Sequence, residues 1–281
     1  MHAPVLERLP EGVQEIGRVV RGVLTHYRSG EFTGARLGEV DHRWVESMLA
    51  VDAARDARDG RPWEVGRQVP LVGCCRDFAL VTVAALRVQG VAARIRVGFA
   101  PYLVEGFACD HVVVEYWDGS RWVWADTQLD PGRERGVDVL DLPRGRDAVG
   151  AAFASAAQVW SAYRAGLVDA GGYGVSPESP LRGGWLVRDY VLLELAHRQG
   201  DEVLLWDRWG AMEQWGESEL VDEVAALPVA ADGGDGAAEE ELAAWYARDG
   251  RLRPRGRVYC ASPSGYRGWV DLVSRVGEPA V

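Results

Sequence analysis

Two segments rich in β-branched and aromatic residues, separated by Asp118-Gly119, constrain the fold of this chain more than any other feature. Residues 111–117 read His-Val-Val-Val-Glu-Tyr-Trp, and residues 120–126 read Ser-Arg-Trp-Val-Trp-Ala-Asp. Such residues favour strands. Asp-Gly between them is typical of a two-residue hairpin turn, because a type I′ turn needs positive φ at both central positions. In that register His111 lies directly opposite Asp126.

This pairing has a chemical consequence. Directly opposed residues share a face of the sheet, with Cβ atoms about 4.5–5.5 Å apart, so the His111 imidazole is predicted to hydrogen-bond the Asp126 carboxylate. A carboxylate in this position fixes the tautomer of the ring and stabilises its protonated form. The other ring nitrogen remains available to pair with a thiol. Trp122 and Trp124 share this face and are candidates to shape a cleft beside the histidine.

Residues 74–89 predict the clearest helix, and its first turn carries a cysteine. Apolar residues cover much of its surface, which indicates a buried helix, and Gly90 is a good stop signal. The N-terminus of a helix favours a thiolate, and an imidazolium nearby favours it further. Cys75 is therefore the predicted nucleophile for attack on a carbonyl carbon. Its backbone N–H is a candidate donor to the developing oxyanion.

Several separated blocks resemble the transglutaminase-like superfamily. The resemblance implies an α+β, papain-like fold, in which a central helix bearing the cysteine packs on an antiparallel β-sheet bearing histidine and aspartate. It implies that Cys75 is the nucleophile, His111 the base and Asp126 the orienting acid. Cys74 directly precedes the nucleophile and is a further cleft candidate, although neighbours on a helix point about 100° apart and only one can face His111. The blocks are Gly73-Cys74-Cys75-Arg76-Asp77-Phe78-Ala79, Gly90-Val91-Ala92-Ala93-Arg94, Asp110-His111 and Trp124-Ala125-Asp126-Thr127.

The core is predicted to carry additions at both ends. Residues 1–65 are predicted as an N-terminal helical segment packed on the core, and residues 66–215 as the transglutaminase-like catalytic core with a helical extension. Part of that extension, within 126–212, resembles bacterial transglutaminase-domain proteins. Residues 216–281 form a C-terminal extension, in which the Gly/Asp-rich stretch 231–238 is interpreted as a flexible link.

Charge and cysteine content limit the classes of binding partner and the cellular location that we expect for this chain. The 281 residues include 31 basic and 42 acidic ones, for a net charge of −11, which disfavours nucleic acids and anionic membranes as partners. Charged residues interrupt the first thirty positions, so no signal peptide or membrane span is expected and the chain is interpreted as cytoplasmic. Four cysteines without C-x-x-C spacing favour free thiols over a zinc site that would use Cys109 and His111.

Together these patterns predict a cysteine-dependent acyl-transfer enzyme that acts on an amide or thioester carbonyl through a thioester acyl-enzyme. The expected substrate is a peptide, an amide or an acyl thioester, free or bound to a carrier protein, and no metal or organic cofactor is expected. Three alternatives stay open: a cysteine peptidase or amidase of the same fold, an amide-forming enzyme of a natural-product pathway, and a non-catalytic interaction module that retains the fold. The identity of the substrate, the choice between water and an amine, and the oligomeric state are not predicted.

Overall fold

Helices alternate with mostly short strands, and the two longest strands follow one another along the chain. The computed structural model describes residues 3–59, 63, 66–133, 136–145, 148–214 and 218–279. In chain order the elements are α1 (Ala3–Glu7), α2 (Val13–Val23), β1 (Leu24–His26), α3 (Gly34–Leu37), α4 (Val45–Asp59), β2 (Leu71–Gly73), α5 (Cys75–Val88), β3 (Ala93–Val104), β4 (Phe107–Trp117), β5 (Trp122–Ala125), β6 (Ala154–Ser155), α6 (Ala156–Arg164), β7 (Tyr173–Gly174), α7 (Gly184–Arg198), β8 (Asp207–Arg208), α8 (Ser218–Asp232), α9 (Gly236–Arg248), β9 (Arg257–Ala261), β10 (Arg267–Asp271) and β11 (Val276–Pro279).

The main sheet has the strand order β5-β4-β3-β6, and these neighbours are antiparallel. The short strand β7 adds to β4 in parallel. Helix α5 packs on this sheet, and Phe78 and Leu86 of the helix lie in one apolar cluster with Val97 and Val112 of the strands. Eleven of the 14 residues of α5 are buried, as its apolar surface predicts. The predicted α+β architecture, with a buried central helix on an antiparallel sheet, is confirmed.

The hairpin between β4 and β5 differs from the prediction in its turn. Trp117 pairs with Trp122, so residues 118–121 form the loop instead of a two-residue turn. Asp118 Oδ1 accepts the backbone N–H groups of both residues that follow Gly119, each at 2.8 Å, and this side-chain turn closes the longer loop. The predicted register was therefore wrong by two residues. Because side chains alternate with a period of two, each side chain of β5 keeps its predicted face.

A two-stranded parallel sheet precedes helix α5. In it β1 pairs with β2, with His26 opposite Gly73, and the backbone N–H of Tyr27 donates to the carbonyl oxygen of Gly73 at 2.8 Å. Gly73 and Cys74 lead directly into α5, so this pairing brings the end of β1 next to the N-terminus of the central helix.

The C-terminal region adds a helical hairpin and a second sheet. Helices α8 and α9 are joined by a short turn, and Asp235 caps α9 by accepting the N–H groups of its first turn. The stretch 231–238, interpreted as a flexible link, is instead the end of α8, the turn and the start of α9. The second sheet has the order β11-β10-β9-β8, so it joins β8 of the predicted core to strands of the C-terminal extension. Residues 65, 215 and 216, at the predicted segment boundaries, lie outside the described residues.

A buried ion-pair network holds the helical hairpin against the main sheet. Arg96 of β3, which is fully buried, donates to both carboxylate oxygens of Asp232 in α8, at 2.8 and 2.7 Å. Arg96 also pairs with Glu115 of β4 and with Glu194 of α7, and Arg198 pairs with Asp232 at 2.8 Å. Removing one member of such a network leaves an uncompensated buried charge, which typically costs about 3–5 kcal/mol.

Candidate active site

The three residues predicted to form the triad lie together beside a cavity of about 500 Å³. Cys75 and His111 line this cavity, together with residues from the N-terminal part of the chain and from the C-terminal sheet. Asp126 lies behind His111, fully buried. The arrangement therefore has an open side, where a substrate carbonyl can approach, and a closed side, where the histidine is held.

Cys75 is the first residue of α5. Hydrogen bonds from Cys74, His111 and His26 hold the pKa of the Cys75 thiol well below its ordinary value, although burial acts in the opposite direction. The Cys75 sulfur also lies at the N-terminus of a buried helix, which favours negative charge. The site therefore favours a thiolate at position 75.

His111 is bonded to Asp126 at 2.6 Å between Nε2 and Oδ2. Extending the observed register by one pair places Val113, not His111, opposite Asp126. His111 is thus the diagonal neighbour of Asp126, a separation that long side chains bridge. Burial lowers the pKa of His111, but the charge and hydrogen bond of Asp126 and the sulfur of Cys75 outweigh it and raise this pKa to about 10. At neutral pH the ring is therefore protonated, and it lies next to a thiol whose pKa is lowered.

Two further groups hold the Asp126 carboxylate. The hydroxyl of Tyr102 donates to Oδ2 at 3.0 Å, and the backbone N–H of Gln128 donates to Oδ1 at 3.2 Å. The carboxylate therefore accepts at both oxygens, which fixes its plane and with it the orientation of the His111 ring.

Of the other three residues predicted to lie in the cleft, Cys74 lines the cavity, whereas Trp122 and Trp124 do not. Cys74 lines the cavity, and its hydrogen bond to Cys75, burial and the charge of Asp77 raise the pKa of the Cys74 thiol well above its ordinary value. Trp124 lies away from the cavity, under Phe153, and its indole N–H donates to Glu115 at 2.8 Å. Trp122 also lies outside the cavity lining, where it packs against Trp117 and Arg94.

His26 is a cavity residue that the sequence reasoning missed. Its Nδ1 accepts the backbone N–H of Arg28 at 3.1 Å, so in the neutral ring the proton is on Nε2. The pairing of β1 with β2 brings this ring next to Cys75. A lone histidine some fifty residues before the cysteine carries no local pattern that marks it, and only the parallel pairing of two three-residue strands reveals it.

Asp110 and Cys109 also line the cavity. Burial and the nearby Cys75 sulfur raise the pKa of Asp110 to about 6, while the hydroxyl of Tyr190 donates to its Oδ2 at 2.6 Å and opposes this rise. Burial raises the pKa of the Cys109 thiol to about 11. In the part of the chain that the structure describes, no group of three or more histidine, cysteine, aspartate or glutamate side chains is arranged to hold a metal ion.

Comparison with known proteins agrees with this geometry. Residues 38–127 match the family model of the transglutaminase-like superfamily core. This segment, about a third of the chain, is similar to a transglutaminase-like core. The similarity supports a cysteine-dependent enzyme. The matched segment contains Cys75, His111 and Asp126, whereas His26 and the C-terminal walls of the cavity lie outside it.

The chain is also similar to a solved structure described as a "Putative Cysteine Protease from Cytophaga hutchinsonii". The identity is 22% and the TM-score 0.27, over 50% of this chain and 37% of that one, so the alignment spans little more than a third of that structure's length. A search of curated proteins found no match. No helix among the described residues is long and apolar enough to cross a membrane.

Proposed function

We propose that this chain is a cysteine acyl-transfer enzyme that attacks an amide or thioester carbonyl with Cys75, assisted by His111 and Asp126. The observation that carries the proposal is that three features come together beside one cavity. These are a thiol with a lowered pKa at a helix N-terminus, an imidazole next to it, and a buried carboxylate bonded to that imidazole at 2.6 Å.

The chemistry follows from the charges. The Cys75 thiolate attacks the carbonyl carbon and forms a carbon–sulfur bond, while the carbonyl oxygen becomes an oxyanion. The His111 imidazolium then gives its proton to the leaving nitrogen or sulfur, the bond to the leaving group breaks, and a thioester remains on Cys75. Water or an amine attacks this thioester, loses its proton to His111 and releases the thiolate. Asp126 stabilises the imidazolium throughout and is not itself protonated.

Two donors are available for the oxyanion. The first is the backbone N–H of Cys75, which lies in the first turn of α5 and has no partner within the helix. The second is His26, because its Nδ1 accepts the Arg28 N–H and its Nε2 therefore carries the proton. An N–H group that donates to a developing oxyanion stabilises it without transferring a proton.

Trapping of the acyl-enzyme tests the proposal. The protein is incubated with S-acetyl-N-acetylcysteamine, and the acetylated residue is located by peptide mass spectrometry. We expect acetyl on Cys75 in the parent and in Cys74→Ala, and none at this position in Cys75→Ala. The control is Cys260, a buried thiol whose pKa burial raises to about 12. Acetylation of Cys75 no faster than that of Cys260 would refute an activated nucleophile and favour a non-catalytic module.

The acceptor is identified in the same experiment. Glycine methyl ester is added, and the released acetate is compared with N-acetylglycine methyl ester. Formation of the amide product in proportion to the amine indicates an acyltransferase, whereas acetate alone indicates a hydrolase. Both outcomes are consistent with the thioester intermediate, and they separate transfer from peptidase-like or amidase-like chemistry.

A further inference from the structure

One face of the C-terminal sheet looks into the candidate active-site cavity. Arg208 of β8 pairs with Tyr259 of β9, and Arg267 of β10 pairs with Ala261 of β9. Paired residues share a face, and so do residues two apart on one strand. Arg208, Ala261 and Arg267 therefore project on the same side of the sheet, and all three line the cavity.

Backbone carbonyls orient both guanidinium groups. Arg208 donates to the carbonyl oxygen of Met212 at 2.7 Å. Arg267 donates through one nitrogen to the carbonyls of Ser262 and Tyr266, at 2.5 and 2.8 Å. A guanidinium has five N–H donors, so each group keeps donors for a ligand. Within the described ranges, neither arginine has a carboxylate at ion-pair distance.

Each carboxylate that lines the same cavity is hydrogen-bonded to another side chain, and the charge of Arg208 acts on Asp189 only from beyond ion-pair distance. Asp207 accepts two bonds from Arg43, a buried arginine behind the cavity wall, at 3.0 and 2.6 Å. Asp189 accepts from Arg188, its neighbour on the same helix, at 2.9 and 2.6 Å. Asp110 accepts from the hydroxyl of Tyr190 at 2.6 Å.

The wall that carries the two arginines is fixed to the core. Asp207, next to Arg208, forms the buried pair with Arg43. Asp41 accepts from the Trp206 indole at 3.2 Å and from the Ser264 hydroxyl at 2.6 Å, so one carboxylate of the N-terminal part ties both segments of the wall. A site built on a fixed wall loses less ordering entropy when it binds a ligand.

We propose that Arg208 and Arg267 form an anion-binding subsite, which selects acyl substrates that carry a carboxylate or a phosphate away from the reacting carbonyl. This inference rests on the proposed function. Guanidinium groups match both anions with parallel hydrogen bonds. The cavity offers these donors in the same space as the Cys75 sulfur, so a substrate with an anionic end can be held while its carbonyl reaches the thiolate.

Alkylation of Cys75 by matched probes tests the subsite. The anionic probes are N-chloroacetyl-γ-aminobutyrate, N-chloroacetyl-ε-aminocaproate and N-chloroacetyl-O-phosphoethanolamine. The neutral partners are the primary amides of the two acids and N-chloroacetyl-ethanolamine. Second-order rate constants at Cys75 give an anionic-to-neutral ratio for each pair, and the same ratio with N-acetylcysteine corrects for intrinsic reactivity. The carboxylate and phosphate arms show which anion the subsite prefers.

We expect a corrected ratio of about ten in the parent for at least one linker, which is the size of effect that one or two charge-assisted hydrogen bonds produce. The ratio should fall to about one in Arg208→Gln/Arg267→Gln and should decrease with added salt. Arg257→Gln is the matched control, because Arg257 lies on the same face of the sheet, over Trp269, and outside the cavity lining.

The outcomes separate the two proposals. A Cys75 that reacts no faster than Cys260 with the neutral probes refutes the proposed function. A reactive Cys75 with a corrected ratio near one for every pair, or a ratio that the double variant leaves unchanged, refutes the subsite alone. If the double variant does not fold, the salt dependence of the parent decides, because a preference for anions that does not decrease with salt is not electrostatic.

Discussion

The two oxygens of Asp126 have different partners, which makes Asp126→Asn a sharp perturbation. Oδ2 accepts from His111 and Tyr102, and Oδ1 accepts from the backbone N–H of Gln128. Asparagine has one carbonyl oxygen and cannot accept at both positions. If that oxygen faces the Gln128 N–H, the amide NH₂ faces His111, and Nε2 of the ring must become an acceptor. The ring proton then sits on Nδ1, and the ring is no longer a base towards the thiol.

The loss of charge acts in the same direction. Asp126 and Cys75 raise the pKa of His111 from 6.5 to about 10 against the effect of burial. This shift corresponds to a differential stabilisation of the imidazolium on the order of 5 kcal/mol. Without the carboxylate, burial favours the neutral ring at neutral pH, and Cys75 loses part of its cationic partner. We therefore expect kcat to fall about 10³–10⁴-fold, as when the aspartate of a comparable triad becomes asparagine.

Two measurements check this prediction. The first is the rate of acetyl transfer from S-acetyl-N-acetylcysteamine. The second is the pH dependence of Cys75 alkylation by iodoacetamide, which should be nearly flat around neutral pH in the parent and should rise with pH in the variant. Asp130→Asn is the control, because Asp130 is an exposed loop residue that accepts a backbone N–H from Gly132. A folded Asp126→Asn protein with parental turnover and a flat pH profile would contradict the assigned role of Asp126.

Three further predictions follow from the same geometry. Cys75→Ala should abolish turnover, whereas Cys74→Ala should keep most of it and lower the denaturation midpoint; loss of activity in a well-folded Cys74→Ala protein would move the nucleophile to position 74. His26→Ala should reduce kcat about 10²–10³-fold, the usual cost of one lost oxyanion donor, with little change in KM. His26→Gln keeps an N–H donor and should recover part of the lost activity. Equal activity of the parent and both variants would show that His26 is not an oxyanion donor. Because folding raises the pKa of His111, the stabilisation that this group contributes is complete below pH 6.5 and is lost as the pH rises to about 10. Urea unfolding of the parent should therefore show a free energy of unfolding that decreases over this pH range, and Asp126→Asn should lack this decrease.

The hairpin illustrates what the sequence predicts well. The Asp-Gly signal located the turn and the two strands, and the alternation of side chains put His111 and Asp126 on one face. The turn length was wrong, because the Asp118 side chain stabilises a four-residue loop. A shift of two residues preserves the face, so the predicted hydrogen bond survives as a diagonal contact. A shift of one would have turned the two side chains to opposite faces.

The surroundings of the site were not predictable in the same way. The tryptophans were assigned to the correct face, but the sequence does not say what covers that face. Residues 136–145 and 148–155 supply Leu142 and Phe153, which bury Trp124 in a small apolar cluster whose buried members do not line the cavity. His26 and the arginines of the second sheet reach the cavity through pairings between strands of two to five residues, which have too few residues for a recognisable period.

The proposed catalytic residues and the proposed substrate-binding residues come from different parts of the chain. The chemistry we propose needs a helix N-terminus, a histidine and a carboxylate, and the transglutaminase-like segment contains all three. The His26 donor comes from before that segment, and the two arginines with free donors come from after it. Arg43 and Asp41 inside the segment bind the later part of the chain directly. The cavity wall is therefore held to the core by side-chain bonds as well as by the chain connection. Substitutions at Arg208 or Arg267 should therefore change which acyl groups react and leave the reactivity of Cys75 towards neutral reagents intact. Substitutions at Asp126 should lower the reactivity of Cys75 towards all reagents and leave the preference among acyl groups unchanged.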